Sequence, residues 1–421
     1  MSRAKRLLKW TGIVLGGLVA VLLIANAVFV WRTDTALERR LEAIRADGEP
    51  LMLADLARDP VPPEFNAHTY LQRAAAGIEG MGEFLDEVFR SETYQLREPT
   101  EAELARIRAA FTAYPQVLPL LQQAAEAPDY DPGYDYTQPT DRLIGQIMER
   151  LGARRAAIRV LDGHALLCLA EDRHDEAFET SLAMLRLARH VAREPMVVGN
   201  LVSHAIRSIA VDSMTRVLRA APISENRRAI LEADLAAFDD VEVFRHALVT
   251  ERVLGIESYR QLPSRNVWLY LRGYWNLDVA YYLDLLEASL ATADRTYADA
   301  TAAMEAVSRP VAGGLVLVRL FEPALDPVRR LAARSTALTR CLRVLNALQA
   351  FEEEHPGAVP ELADLGLPAE AITDPFTGEP LRMRRLPEGW LIYSVGENLT
   401  DNGGAVTAPS GKLPLDIGLG P

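Results

Sequence analysis

Residues 10–31 read WTGIVLGGLVAVLLIANAVFVW, a run that contains no charged residue. Lys9 precedes this run and Arg32 follows it. A helix of this length rises about 33 Å, which is enough to cross the roughly 30 Å of hydrocarbon in a bilayer. Trp10 and Trp31 stand where the two membrane interfaces would fall, as aromatic anchors do. The run therefore predicts a transmembrane anchor.

The same end of the chain also has the parts of a secretory signal peptide. Its first nine residues hold four basic residues and no acidic one, and Ala25-Asn26-Ala27 matches an A-x-A cleavage site. The apolar run continues to Trp31, however, beyond the roughly 7–15 residues of a signal peptide's apolar core. This favours an uncleaved anchor. Basic residues also follow the run, so the orientation rests on residues 1–9, whose charge favours a cytoplasmic tail. The rest of the chain is then expected on the periplasmic side of the inner membrane.

The overall composition is that of a folded, acidic protein. The chain has 421 residues, 45 of them Lys or Arg and 58 Asp or Glu, which gives a net charge of −13. Its 49% of hydrophobic residues can form a sizeable core. The acidic balance argues against nucleic acid as a partner, because a sequence-independent binder needs a basic face. A Schiff-base or Ser/Lys enzyme is also disfavoured, since lysine occurs only at Lys5, Lys9 and Lys412.

Residues 32–63 divide into a helix and a linker. Leu37, Leu41 and Ile44 repeat at the spacing of one helical face, which predicts a short amphipathic helix that leaves the membrane. Asp59-Pro60-Val61-Pro62-Pro63 cannot continue a helix and predicts an extended, proline-rich linker.

Residues 64–334 have the apolar spacing of successive helices and predict an α-helical domain built from stacked helical hairpins, similar to a solenoid. Thr100 and Glu103 predict a capping box at the start of one helix. Residues 172–177 separate two apolar-periodic segments and resemble the turn of one tetratricopeptide-type unit. No repeat at the 34-residue period of such arrays follows.

Residues 335–421 change from helical to mixed character. A helix is expected to end at His355-Pro356-Gly357. Residues 374–380 (DPFTGEP) form a cluster of turn residues, and residues 381–385 and 390–395 predict the two strands of a β-hairpin.

The order of these elements resembles the soluble domain of type II secretion major pseudopilins. The resemblance is carried by DPFTGEPLRMRR at 374–385, by GWLIYSVGENLTDNGG at 389–404 and by the late Asp416-Ile417. It implies a small α+β module with a calcium-binding loop. In this chain the loop residues that would bind calcium are Asp401, Asp416 and Asn398. Without an ion, Asp401 and Asn402 would stabilise local turns instead.

The chain departs from that family in two ways. Asn398 stands where the family usually has Asp, and no prepilin processing signal precedes the apolar run. The arrangement as a whole is similar to uncharacterised membrane-anchored envelope proteins of planctomycete-type bacteria, a resemblance that implies no known activity.

Catalytic patterns are scarce. The seven histidines never fall at i, i+2 or i, i+4 from one another, and Cys168 and Cys341 lie apart in apolar helical segments, so neither a zinc motif nor a redox pair is predicted. Two buried free thiols are favoured over a disulfide. Residues 129–136 (DYDPGYDY) hold three Asp that could bind a cation, but the spacing is not that of an EF-hand, and a solvated loop is favoured.

Together these patterns predict a mainly α protein with an N-terminal transmembrane helix, a helical-hairpin body and a small C-terminal α+β module. The favoured function is a non-catalytic, membrane-anchored binding or scaffold protein of the cell envelope, with envelope or secretion proteins as partners. One alternative is a component associated with a type II secretion apparatus. Another is a hydrolase whose site lies near the aromatic segment 256–290, beside Trp268 or Trp275, although core packing is favoured for those aromatic residues.

Overall fold

The computed structural model describes residues 3–89, 99–261, 272–307, 316–407 and 414–420. Within these ranges the protein is mainly helical and has one small sheet, so the predicted fold class is confirmed at that level. The helices are α1 (Arg3–Ala46), α2 (Ala67–Phe89), α3 (Glu101–Ala113), α4 (Val117–Glu126), α5 (Thr140–Ala170), α6 (His174–Val191), α7 (Met196–Ala220), α8 (Glu225–Ala236), α9 (Asp240–Arg260), α10 (Arg272–Leu290), α11 (Tyr297–Val307), α12 (Val316–Glu354) and α13 (Ala369–Ile372). The strands are β1 (Arg382–Leu386), β2 (Gly389–Ser394) and β3 (Ile417–Leu419).

Helix α1 is continuous over 44 residues, from the basic tail through the apolar run and beyond it. Most side chains of the apolar run are exposed, and Trp10 and Trp31 each expose 67% of their surface. Among the described residues, α1 is the one helix long and apolar enough to cross a membrane. Within the described residues, protein covers this apolar surface only near its end, as expected of a lipid-facing helix.

The last part of α1 belongs to the helical body. Leu37, Leu41 and Ile44 are buried in a cluster to which α10 contributes more of the other side chains than any other helix. At the start of this contact the ring of Phe29 lies directly over Gly273, where an added Cβ atom would be 2.5 Å from the ring. The amphipathic segment predicted from the three apolar residues is thus the end of α1 itself.

Helices α5, α6 and α7 form the centre of the body, because α6 packs against both of its neighbours in sequence. Helices α4 and α8 lie against α6, whereas α12 packs against α7. A turn separates α5 from α6 as predicted, and Asp172 within it has a φ of 54°, but it is shorter than the predicted 172–177 because α6 already begins at His174. The predicted capping box is confirmed too: the Thr100 hydroxyl accepts from the Glu103 N–H, and the Glu103 carboxylate accepts from the Thr100 N–H.

The C-terminal sheet is antiparallel with the strand order β1-β2-β3. The predicted hairpin is confirmed within one residue at each strand, and Leu386 pairs with Gly389 across the turn. Strand β3, which the sequence did not predict, pairs Leu419 with Ile392. The sheet packs on α12, a helix of 39 residues that also packs on α7 and α8 and that contains the expected domain boundary at 334/335. Sheet and body therefore share one apolar core.

Candidate functional site

The residues expected to bind calcium each form hydrogen bonds with their own loop. The Asp416 carboxylate is fully buried and accepts from the N–H groups of Asn402, Gly404 and Ala405 at 3.2, 2.8 and 2.8 Å. Asp401 accepts from the Gly403 N–H at 2.8 Å and from a tyrosine hydroxyl at 3.1 Å. These hydrogen bonds fold the loop without an ion, and calcium binding by these residues stays a prediction.

Two sequence motifs of the C-terminal module meet at Asp374. This buried carboxylate accepts from the Phe376 N–H at 2.9 Å, which closes its own turn. It also accepts from the Ser394 hydroxyl at 2.8 Å and the Val395 N–H at 3.0 Å. The Ser394 hydroxyl oxygen in turn accepts from the Gly396 N–H at 3.1 Å. Asp374 therefore ties the DPFTG turn to the loop after β2.

The described aromatic side chains of the segment 256–290 differ in exposure: Tyr274 is 58% exposed, whereas Tyr282 is buried. The hydroxyl of Tyr259 donates to the Asn276 side chain at 2.6 Å, and that of buried Tyr282 donates to the carbonyl of Glu251 at 3.0 Å. Trp268 lies outside the described residues. Cys168 and Cys341 are both buried and free, as expected.

Two adjoining cavities instead lie at the end of α6. One has a volume of about 890 Å³ and is enclosed by α4, α6, α8 and α9. The other has a volume of about 570 Å³ and lies beside the loop 129–136. Arg193 and His246 line both cavities. We refer to the two cavities together as the α6 groove.

One wall of the α6 groove carries a row of arginines. Arg186, Arg189 and Arg193 follow at spacings of three and four residues, so they share a face of α6 and of the turn after it. Asp234 binds the first two, at 2.9 and 3.0 Å. Asp129 binds Arg193 and also Arg58. Two carboxylates thus serve four guanidinium groups here, and the Arg193 side chain is 50% exposed, but the further carboxylates that line the groove leave it with no excess of positive charge overall.

Asp129 itself is firmly ionised. Burial raises the pKa of Asp129, but the Tyr130 N–H and the guanidinium groups of Arg58 and Arg193 outweigh burial and hold this pKa below its ordinary value. The loop 129–136 therefore uses the Asp129 carboxylate to bind arginine. The other two Asp of the loop, Asp131 and Asp135, each accept from a backbone N–H two residues further on, so the three carboxylates do not gather at one cation site.

The other surfaces of the groove are neutral or acidic. His190 is buried and stacks on Tyr130 with ring centroids 5.9 Å apart. Burial, followed by the charges of Arg193 and Arg189, lowers the pKa of His190 to about 4, and burial also lowers that of His246. Both rings are thus neutral at pH 7. Exposed carboxylates stand at the rim, namely Glu126, Asp239 and Glu242.

A buried polar network fixes the floor beneath the groove. Glu194 is fully buried and accepts from the hydroxyls of Tyr130 and Tyr134, the second at 2.6 Å. Arg154, also buried, places its Nε 3.8 Å from the Glu194 carboxylate and contacts a ring nitrogen of His68 at 2.8 Å. Burial, together with the charge of Arg154, lowers the pKa of His68 to about 3, so this ring is neutral. The network holds the loop 129–136 against α5 and the end of α6.

The sequence analysis did not predict the α6 groove, although one of its features was visible in the sequence. The arginine spacing on α6 was a visible signal, because residues three and four apart share a helical face. Glu194 and its tyrosine partners are about 60 residues apart, and no local pattern marks such a pair.

No protein-family model, curated protein or solved structure matches the chain.

Chemically, the α6 groove offers hydrogen-bond donors with positive charge on one side and carboxylates on the other. Guanidinium groups bind carboxylates through two parallel hydrogen bonds, which gives both strength and orientation. The neutral imidazole rings of His190 and His246 lie between the walls, and Tyr130, stacked on His190, is buried. The arrangement is suited to a ligand that presents acidic groups to the arginine wall alone.

Proposed function

We propose that this chain is a single-pass, membrane-anchored binding or scaffold protein of the cell envelope. Its helical body lies outside the cytoplasm and binds an acidic polypeptide segment in the α6 groove. The observation that carries the proposal is the row of three arginines on the α6 wall, with Arg193 half exposed beside a cavity of about 890 Å³.

The joint between α1 and α10 supports a scaffold role. The Arg40 guanidinium binds both carboxylate oxygens of Asp284, at 2.7 and 2.9 Å. The Asn276 amide donates to Asp34 at 2.5 Å and to Thr33 at 3.3 Å. Because these bonds and the buried apolar face belong to the same helix that carries the membrane run, the body is fixed to its anchor instead of hanging on a flexible tether. Its height and orientation above the bilayer are then set.

The dimensions and charges of the α6 groove support a polypeptide as ligand. Single small-molecule pockets have volumes of about 300–1,000 Å³, and the two adjoining cavities together exceed that range. Arginine clusters are a recurring means of recognising acidic peptide motifs. The rim carboxylates of Asp239 and Glu242 would repel any further acidic residues of the ligand. They would therefore restrict it to a few acidic residues that lie at the arginine wall.

A peptide-binding measurement tests the proposal. Fluorescence anisotropy of a labelled Glu/Gly peptide is measured with the full-length protein in detergent, against a Lys/Gly peptide of equal length. We expect the acidic peptide to bind and Arg189→Glu to weaken it by about tenfold, which corresponds to about 1.4 kcal/mol. Arg108→Glu is the matched control, because Arg108 is 52% exposed and pairs with Glu171 away from the groove. Equal binding of both peptides, or equal loss in both variants, would contradict the proposal.

A second candidate, association with a type II secretion apparatus, is supported by the contacts of Asp374. This residue links two motifs that carry the pseudopilin resemblance, the DPFTG turn and the loop that begins at Ser394. Residues matched from separate motifs thus interact directly. Calcium binding by the purified protein, measured by calorimetry and lost in Asp401→Ala, is the result this candidate requires, and its absence would count against it.

A further inference from the structure

The hairpin of α5 and α6 brings three metal-ligating side chains together at its turn, outside the α6 groove. His164 and Cys168 lie four residues apart on α5 and therefore on one face of that helix. Glu176 lies in the first turn of α6. One nitrogen, the sulfur and one carboxylate oxygen of these residues all lie within 4.8 Å of one another. His164 and Cys168 are buried, whereas Glu176 is exposed.

The hydrogen bonds of His164 determine which ring nitrogen is free. The Thr180 hydroxyl donates its hydrogen to the carbonyl of Glu176 at 2.8 Å. Its oxygen can then only accept from His164 Nδ1, which lies 2.9 Å away. The hydrogen of the neutral ring is therefore on Nδ1, and Nε2 keeps its lone pair. Metal-binding histidines usually have their second nitrogen fixed in this way.

The distance between the two buried ligands fits one ion. Zinc binds thiolate at about 2.3 Å and imidazole at about 2.0–2.1 Å in a tetrahedron, so the two ligand atoms should be about 3.5 Å apart. The Cys168 sulfur lies 3.7 Å from His164 Nε2 and 3.6 Å from Nδ1, about equally far from both ring nitrogens. An ion bound to Nε2 therefore requires the Cys168 side chain to rotate toward that nitrogen, while the backbone of α5 stays in place.

Glu176 is free to turn toward the same point. Its side chain is 56% exposed and now accepts from Arg173 at 2.6 Å. Arg173 also binds Glu171 through two hydrogen bonds, at 3.0 and 2.8 Å. If the Glu176 carboxylate moves to an ion, Arg173 therefore stays paired with the Glu171 carboxylate. A cavity of about 200 Å³, lined by His164, Glu176 and Thr180, leaves room for a water molecule as fourth ligand.

We propose that His164 Nε2, Cys168 Sγ and a Glu176 oxygen bind one divalent ion of the zinc class. A set of one nitrogen, one sulfur and one oxygen is suited to zinc, while calcium and magnesium prefer oxygen alone. Cys168 does not line the cavity, so it acts as a ligand and not as a nucleophile that a substrate reaches. The ion joins α5 to α6 and stabilises the turn between them.

Cobalt titration of the full-length protein in detergent tests this site. A tetrahedral Co²⁺ site with a thiolate ligand has intense visible bands and a sulfur-to-cobalt charge-transfer band. We expect both bands in the wild-type protein, and we expect zinc to displace them. Cys341→Ser is the matched control, since Cys341 is equally buried but lies on α12, and it should keep both bands.

Variants of the three ligands complete the test. Cys168→Ser should lose the charge-transfer band. Glu176→Gln, which changes an exposed side chain and leaves the fold intact, should weaken cobalt binding by about tenfold or more, as should Thr180→Val through the ring of His164. The proposal is overturned if the wild-type protein shows no charge-transfer band, if Cys168→Ser keeps the band, or if Glu176→Gln binds cobalt as tightly as the wild-type protein.

Discussion

Replacing Glu194 by Gln tests the network beneath the α6 groove. The substitution keeps the shape of the side chain but removes its charge, while Arg154 stays buried at 3.8 Å with 5% of its side chain exposed. One amide oxygen also replaces two carboxylate oxygens as acceptors for the two tyrosine hydroxyls. The folded state then contains an uncompensated guanidinium and one phenol without its acceptor.

The expected loss of stability follows from these contacts. Breaking a buried ion pair by removing one partner costs about 3–5 kcal/mol. A hydrogen bond to a charged group contributes about 1.5–3 kcal/mol, and Gln retains one of the two. We therefore expect Glu194→Gln to lower the free energy of unfolding by about 5 kcal/mol or more. Tyr134→Phe removes only one hydrogen bond and leaves the ion pair, so it should cost about 2 kcal/mol.

Urea unfolding of the full-length protein in detergent, followed by tyrosine and tryptophan fluorescence, measures both losses. The midpoint should fall further for Glu194→Gln than for Tyr134→Phe, with the slope unchanged. The double variant Arg154→Met/Glu194→Gln should recover part of the loss, because it removes both charges. If Glu194→Gln costs less than about 1 kcal/mol, or no more than Tyr134→Phe, the reasoning is wrong.

Three further outcomes follow from individual side chains. Burial raises the pKa of Glu251 to about 7, so the folded state holds this proton more tightly than the unfolded chain, and stability should fall by about 3 kcal/mol from pH 4.5 to 7. The difference between the wild-type and Glu251→Gln proteins over that window measures this loss, and a difference that does not change with pH would refute it. Asp416→Ala leaves three backbone N–H groups without an acceptor and should cost about 3 kcal/mol in chelator and calcium alike. A loss seen only with calcium would instead assign Asp416 to an ion site. Gly273→Ala should destabilise the joint by about 1–3 kcal/mol, because the new methyl group meets Phe29. Thermal melts should show partial recovery in Gly273→Ala/Phe29→Leu, and no recovery would place the damage elsewhere.

Local patterns were enough to predict several elements of the fold. The apolar run of α1, the Thr100–Glu103 capping box and the β1–β2 hairpin each depend on residues that are close in sequence. The tight turn at Leu386–Gly389 makes the strand pairing itself a local event. For this reason composition, capping residues and turn residues predicted them nearly to the residue.

What the sequence did not predict depends on partners that are far apart. Strand β3 pairs with β2 across more than twenty residues, and its three residues alone give no strand signal. The floor of the α6 groove needs Tyr130 and Glu194 from separate helical hairpins. Periodicity indicates which face of a helix is buried, but it does not indicate which buried polar group meets which.

The pair His164 and Cys168 had a signal in the sequence that was missed. Metal motifs built from a single ligand type do not include this pair, although a mixed pair at i, i+4 places two ligands on one helical face equally well. The third ligand, Glu176, follows the turn at Asp172 and is brought close only when the hairpin closes. Searching for mixed ligand types at helical spacing would have found the first two.

Photo-crosslinking in intact cell membranes tests the central claim, that the α6 groove binds a polypeptide. A benzophenone amino acid replaces Ala237, which is exposed and lines the groove, or Met148, which is 45% exposed and lies outside it. The account predicts a discrete protein adduct from position 237 that is absent at position 148 and is lost when Arg189→Glu is added. Equal adducts at both positions, or an adduct at position 237 that Arg189→Glu leaves unchanged, would contradict it.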